Sequence, residues 1–150
     1  MNKRLTRRAG TLLATSALLF GTSVMLGATE AAAAQWTFKK ASVSSNGSFS
    51  IGAYNNGTYA GAMTWNADPV TGGAPGDSFQ VVDRLSDGWG MEAHMTSPVS
   101  GRTATTRGHT AVYYSPWNTK DLTEGTSVYI QLCAFKGSSE RCSVAYSGHA

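Results

Sequence analysis

The groups in this chain that could do chemistry are few and scattered. Its three histidines are His94, His109 and His149. No H-x-x-x-H, HExxH or Cys/His quartet gathers them, so no spacing brings three ligands to one metal. His94 falls on the polar face of a strand-like run beside Glu92, His109 follows Gly108 in a turn, and His149 is the penultimate residue. Serines are abundant, but neither Gly47-Ser48 nor Ser100-Gly101 sits in the G-x-S-x-G elbow of a hydrolase. Asp83, Asp87 and Glu92 share one stretch, and a pair of carboxylates can hydrolyse a glycoside. Yet Asp87-Gly88 is a turn pair, and strict alternation puts Glu92 on the face of His94, so a turn and a solvated face are the expectation. Asp83 and Asp87 also lack the alternating oxygen ligands of a calcium loop. The sequence therefore predicts no catalytic residue, no metal site and no cofactor.

Two other features are more informative. Cys133 and Cys142 lie on the strand-like runs Ser127–Phe135 and Glu140–Ser147, which would fold as a hairpin around Lys136-Gly137-Ser138-Ser139. In an oxidising compartment a lone pair of this kind forms one disulfide. A metal site would need more ligands nearby, and a redox pair would be CxxC. The second feature is aromatic. Tyr113 and Tyr114 are adjacent, so on a strand they point to opposite faces. Ser115-Pro116-Trp117-Asn118 then carries Trp117 in a loop whose backbone Pro116 restricts. Such rings concentrate at binding hot spots. Tyr113, Tyr114 and Trp117 are the candidate binding surface; the plainer alternative is that Trp117 folds back as a lid.

The elements needed to position these groups all read as β. Asn46-Gly47 and Asn56-Gly57 have the chemistry of two-residue hairpins, and with Trp36-Thr37-Phe38, Phe49, Ile51 and Tyr59–Trp65 they predict a three-stranded meander. Asn66–Asp77 holds the turn dipeptides Asp68-Pro69, Gly72-Gly73 and Pro75-Gly76 and reads as a loop. Phe79–Asp83 is a strand, and Trp89, Met91, Ala93 and Met95 then alternate with Glu92 and His94. Thr103–Arg107 and Thr110–Tyr114 are short strand candidates, and Val128, Ile130, Leu132 and Ala134 mark the inward face of the long run before the cysteine hairpin. About eight short strands at spacings near ten predict an all-β fold, a small antiparallel β-sandwich or barrel with one hairpin disulfide. Its expected core is Phe79, Val81, Trp89, Met91, Ala93, Val128, Ile130 and Leu132.

The 150 residues suffice for one domain. Residues 1–34 read as a secretory signal peptide: Lys3, Arg4, Arg7 and Arg8 precede an apolar stretch from Leu12 to Ala28, then the small residues Ala31–Ala34. That stretch is broken by Thr15, Ser16, Gly21, Thr22 and Ser23 and falls short of the ~20 residues of a stable span, so no membrane anchor is expected. Residues 35–150 would be a single secreted β-domain. The formal charge of +3 belongs to the leader, whose four basic residues outweigh Glu30; the remainder holds eight basic and eight acidic residues. A neutral domain without a Lys/Arg cluster has no electrostatic grip on nucleic acid or anionic lipid.

The stretch Gly76–Glu92, with Glu124–Cys133 and Arg141-Cys142-Ser143, resembles small secreted β-sandwich proteins of filamentous actinomycetes, most of them without an assigned activity. It is also similar to the small adaptor subunit of umbrella toxin particles, which joins other subunits and performs no catalysis. The resemblance covers about the last half of the chain and implies a secreted, extracellular protein whose partner is another extracellular protein. A glycan or cell-wall binder using exposed Trp and Tyr is the alternative, and a small secreted hydrolase comes third.

Overall fold

In the computed structural model, residues 34–41 and 44–150 are described. The expected signal peptide lies outside them, apart from Ala34. Every regular element among the described residues is a strand, so no helix long and apolar enough to cross a membrane occurs there. Eleven strands form two antiparallel sheets that face each other as an open sandwich. The barrel alternative is excluded, because neither sheet closes on itself.

The first sheet contains β1 (Trp36–Lys40), β2 (Phe49–Asn55), β3 (Thr58–Asn66), β4 (Ser78–Asp83), β7 (Tyr113–Tyr114) and β8 (Asn118–Thr119), in the order β1-β2-β3-β4 with β7 and β8 both on the far side of β4. The second contains β5 (Gly90–Ser97), β6 (Thr103–Thr105), β9 (Ser127–Lys136), β10 (Ser139–Cys142) and β11 (Tyr146–His149), with β9 beside β5 and both β10 and β11 on the far edge of β9. The meander forms as predicted, and Asn56 and Gly57 both take positive φ in a two-residue hairpin. Asn46-Gly47 does not. Ser44 to Ser48 close a wider loop in which Gly47 alone has positive φ. The reason is tertiary: a Cβ on Gly47 would stand 2.6 Å from the ring of His149, so this turn is pressed against β11.

The core is built from alternate residues of both sheets. All of the expected core residues are buried except Trp89, which is half-buried and packs on Trp36 with ring centroids 5.3 Å apart. Phe49, Ile51, Met63, Trp65 and Met95 complete it. The expected strand Thr110–Tyr114 shrinks to Tyr113–Tyr114, and the expected final strand Glu140–Ser147 is cut in two. Both interruptions have the same construction. Ser115 separates β7 from β8: its N–H donates to Val81 O, its Oγ accepts from Val81 N–H, and Gln80 Nε2 donates to Ser115 O. Ser143 separates β10 from β11 and repeats each bond with Leu132 and Gln131. A serine hydroxyl thus replaces one carbonyl of the ladder, and the register advances by one residue as in a bulge.

Cys133 and Cys142 are directly opposite in the β9–β10 pairing and are bonded to each other. A crosslink over so short a loop stabilises by about 2.7 kcal/mol in the chain-entropy model. Reduction is therefore expected to lower the melting temperature while the far-ultraviolet circular dichroism of the sheets survives. Loss of the β signal at room temperature on reduction would show that the hairpin depends on the bond.

Candidate functional site

The outward face of the first sheet gathers aromatic and cationic side chains in strand order. Lys39 comes from β1, Tyr54 from β2, Tyr59 from β3, Arg84 from the residue after β4, and Tyr114 from β7. The two-residue hairpin at Asn56-Gly57, with the register shift between Ala53 and Tyr54, sets Tyr54 opposite Tyr59. Their rings meet edge-on at 5.6 Å and 62°. Lys39 Nζ lies 5.1 Å from the Tyr54 centroid and Arg84 Cζ 5.7 Å from that of Tyr114, distances of cation–π contact. Arg84 Nη2 also donates to the Tyr114 hydroxyl. Burial pushes the Tyr59 hydroxyl above its ordinary pKa, and the positive charge of Arg84 opposes the rise.

The floor beside this ribbon is small and uncharged: Ser50, Gly52, Ala62, Thr64, Gln80 and Val82. No outward position of β1 to β4 or β7 is acidic, since Asp83, the one carboxylate on these strands, is buried. The face is positive although the domain as a whole is neutral.

The three aromatic residues singled out from the sequence separate. Tyr114 joins the ribbon and is 48% exposed. Tyr113 turns the other way, half-buried, with its ring stacked on His109 at 3.6 Å. Trp117 is half-buried between β7 and β8 and is not among the side chains packed on the central core. Sequence reasoning missed Lys39, Tyr54, Tyr59 and Arg84. The Tyr54–Tyr59 pair follows from the hairpin register that Asn56-Gly57 implies, whereas Arg84 and Tyr114 meet only through the pairing of β4 with β7.

Glu92 and Asp87 are each held by partners. Glu92, expected in solvent, is 8% exposed. Its carboxylate accepts from Arg107 Nε at 2.7 Å and lies 3.3 Å from His94 Nε2. Burial works against its charge, but the hydrogen bonds and charge of Arg107 prevail and hold its pKa below the usual value. The partner that overturned the solvated reading is 15 residues away across β6, beyond the reach of alternation. Asp87 is not a loose turn charge either: it accepts from Trp89 N–H and from Asn55 Nδ2. His94, Cys133 and Glu140 offer ligand atoms within 4.8 Å of one another, but the sulfur of Cys133 is committed to the disulfide. What remains is one imidazole and one carboxylate, too few for a structural zinc site.

Compared with protein families, curated proteins and solved structures, the chain matches none.

Proposed function

We propose that this is a secreted, non-catalytic binding module that docks another extracellular protein, as an adaptor or inhibitor-like component, through the outward face of its first sheet. The observation that carries the reading is the ribbon Lys39–Tyr54–Tyr59–Arg84–Tyr114 on a face with no acidic residue. Tyrosine and arginine are the residue types that dominate hot spots at protein interfaces, and a positive strip on a neutral domain selects an acidic partner surface. The disulfide suits an oxidising compartment. A glycan platform is less well served. The Tyr54 and Tyr59 rings are tilted at 62° to each other, and cations cover faces of Tyr54 and Tyr114, so no coplanar pair of free rings is left for sugars to stack on.

The test is capture of a partner from culture supernatant on the immobilised protein, followed by comparison of variants. Arg84→Glu reverses a charge and Tyr114→Ala removes a ring. Each is expected to weaken binding about ten-fold or more without changing the melting temperature, because hot-spot truncations cost about 2 kcal/mol. Binding by the parent should also weaken as salt rises. If Trp117→Ala weakens binding and the ribbon variants do not, the site is the β7–β8 loop. Retention on insoluble glycan that disappears with Tyr59→Ala would decide for the carbohydrate reading.

A further inference from the structure

We propose that the cleft between the end of β4 and the start of β5 binds a small organic cation, a protonated primary amine on a flat apolar body. The cleft has a volume of about 270 Å³ and is walled by Leu85, Trp89, His109 and Phe135, with Asp83 on one side. That is just below the ~300 Å³ at which sites for drug-sized ligands begin, so its occupant is small.

Asp83 is the reason to look for a cation. It occupies an inward position at the last residue of β4 and is 3% exposed. One oxygen accepts from Leu85 N–H at 3.2 Å. No other hydrogen bond and no ion pair reaches the carboxylate among the described residues. The nearby positive charges are all engaged elsewhere. Arg84 points to the opposite face and holds Tyr114. Arg107 is paired with Glu92 and stacked 3.9 Å from the Phe135 centroid. Lys136 donates to the backbone oxygen of Asp87. The charged group that does act on Asp83 is the Asp87 carboxylate, which like burial itself raises its pKa. A buried carboxylate without a counter-ion is costly, and native proteins pair or neutralise such groups. An ammonium group in the cleft would supply both the missing charge and a donor for the free oxygen.

The walls set the rest of the ligand. Trp89 and Phe135 offer aromatic surface, and the His109 ring is fixed by its stack on Tyr113. Gly90 shapes this wall. A Cβ there would collide with the Phe135 ring and stand 2.9 Å from Thr106 Oγ1, so only glycine lets the ring lie down on the strand. No residue of the ribbon lines the cleft, and its occupancy does not depend on the docking reading.

The experiment is calorimetric titration of the purified protein at neutral pH with two probes of nearly equal shape, phenethylamine and 2-phenylethanol. The amine is expected to bind at least about ten-fold more tightly than the alcohol, the ratio that one charge-assisted hydrogen bond supplies. Asp83→Asn should abolish that preference and leave the alcohol unaffected. Equal affinity for the two probes in the parent overturns the proposal without recourse to any variant. So does absence of binding by either probe at millimolar concentration, or an amine preference that survives Asp83→Asn.

Discussion

Trp65→Ala is expected to destabilise the fold by about 3–5 kcal/mol, the range for removing a fully buried large aromatic side chain. Trp65 lies on the inward face of β3 and is completely buried, facing Phe49 of β2 and Phe79 of β4 across the sheet. It also performs a second task, because its indole Nε1–H donates to His149 O at 3.1 Å. That bond ties the first sheet to β11, the edge strand of the second. Alanine would remove both the packing and the donor. Trp65→Phe separates them: most of the ring volume stays, the carbonyl of His149 loses its partner, and the loss should fall to about 1–2 kcal/mol. Chemical denaturation of parent, Trp65→Ala and Trp65→Phe measures both. If the two variants lose equal stability, the hydrogen bond to β11 dominates and the packing argument is wrong. Gly148 shows how close the contact is, since a Cβ there would stand 2.6 Å from the Phe49 ring.

What could be read in the sequence was whatever a short window contains. Met91, Ala93 and Met95 alternate, as do Val128, Ile130 and Leu132, and all six are buried. Asn56-Gly57 specifies its own hairpin because both positive-φ positions lie inside the dipeptide. Asn46-Gly47 has the same chemistry and a different outcome, since β11 packs against the turn. Alternation gave the correct face for Glu92 and the wrong environment, because a partner 15 residues distant covers it. The paired interruptions at Ser115 and Ser143 carry no signal in a one-dimensional pattern. A serine that substitutes its hydroxyl for a ladder carbonyl looks like any other serine until its strand partner is known. The candidate site suffered in the same way. Tyr114 stood out by its neighbour Tyr113, but the residues around it come from strands that meet through pairing between distant segments.

Arg102→Ala should have an effect as large as that of Trp65→Ala, about 3–5 kcal/mol, because three oxygens lose their donor at about 1–3 kcal/mol each where water does not replace it. Arg102 precedes β6 and is only 7% exposed, yet it makes no ion pair among the described residues. Its guanidinium is held by oxygens: Nη2 donates to Asp77 O at 2.8 Å and Asn118 O at 2.7 Å, and Nε donates to Asn118 Oδ1 at 2.9 Å. Its Cζ lies 5.2 Å from the centroid of the Phe79 ring. Asn118 completes the arrangement by donating from Nδ2 to Thr103 O. One side chain from the second sheet thus anchors β8 and the start of β4 in the first. Burial lowers its pKa, opposed by the charge of Asp77, but from a starting value so high that the group stays charged. Arg102→Lys keeps the charge and loses the planar fork, so one ammonium cannot reach all three oxygens in line; it should recover less than half of the lost stability. Thermal denaturation ranks the three proteins, and amide hydrogen exchange at Asn118 and Thr119 reports whether β8 comes loose first. A lysine variant as stable as the parent would mean that charge alone, and not the geometry of the fork, joins the two sheets at this end.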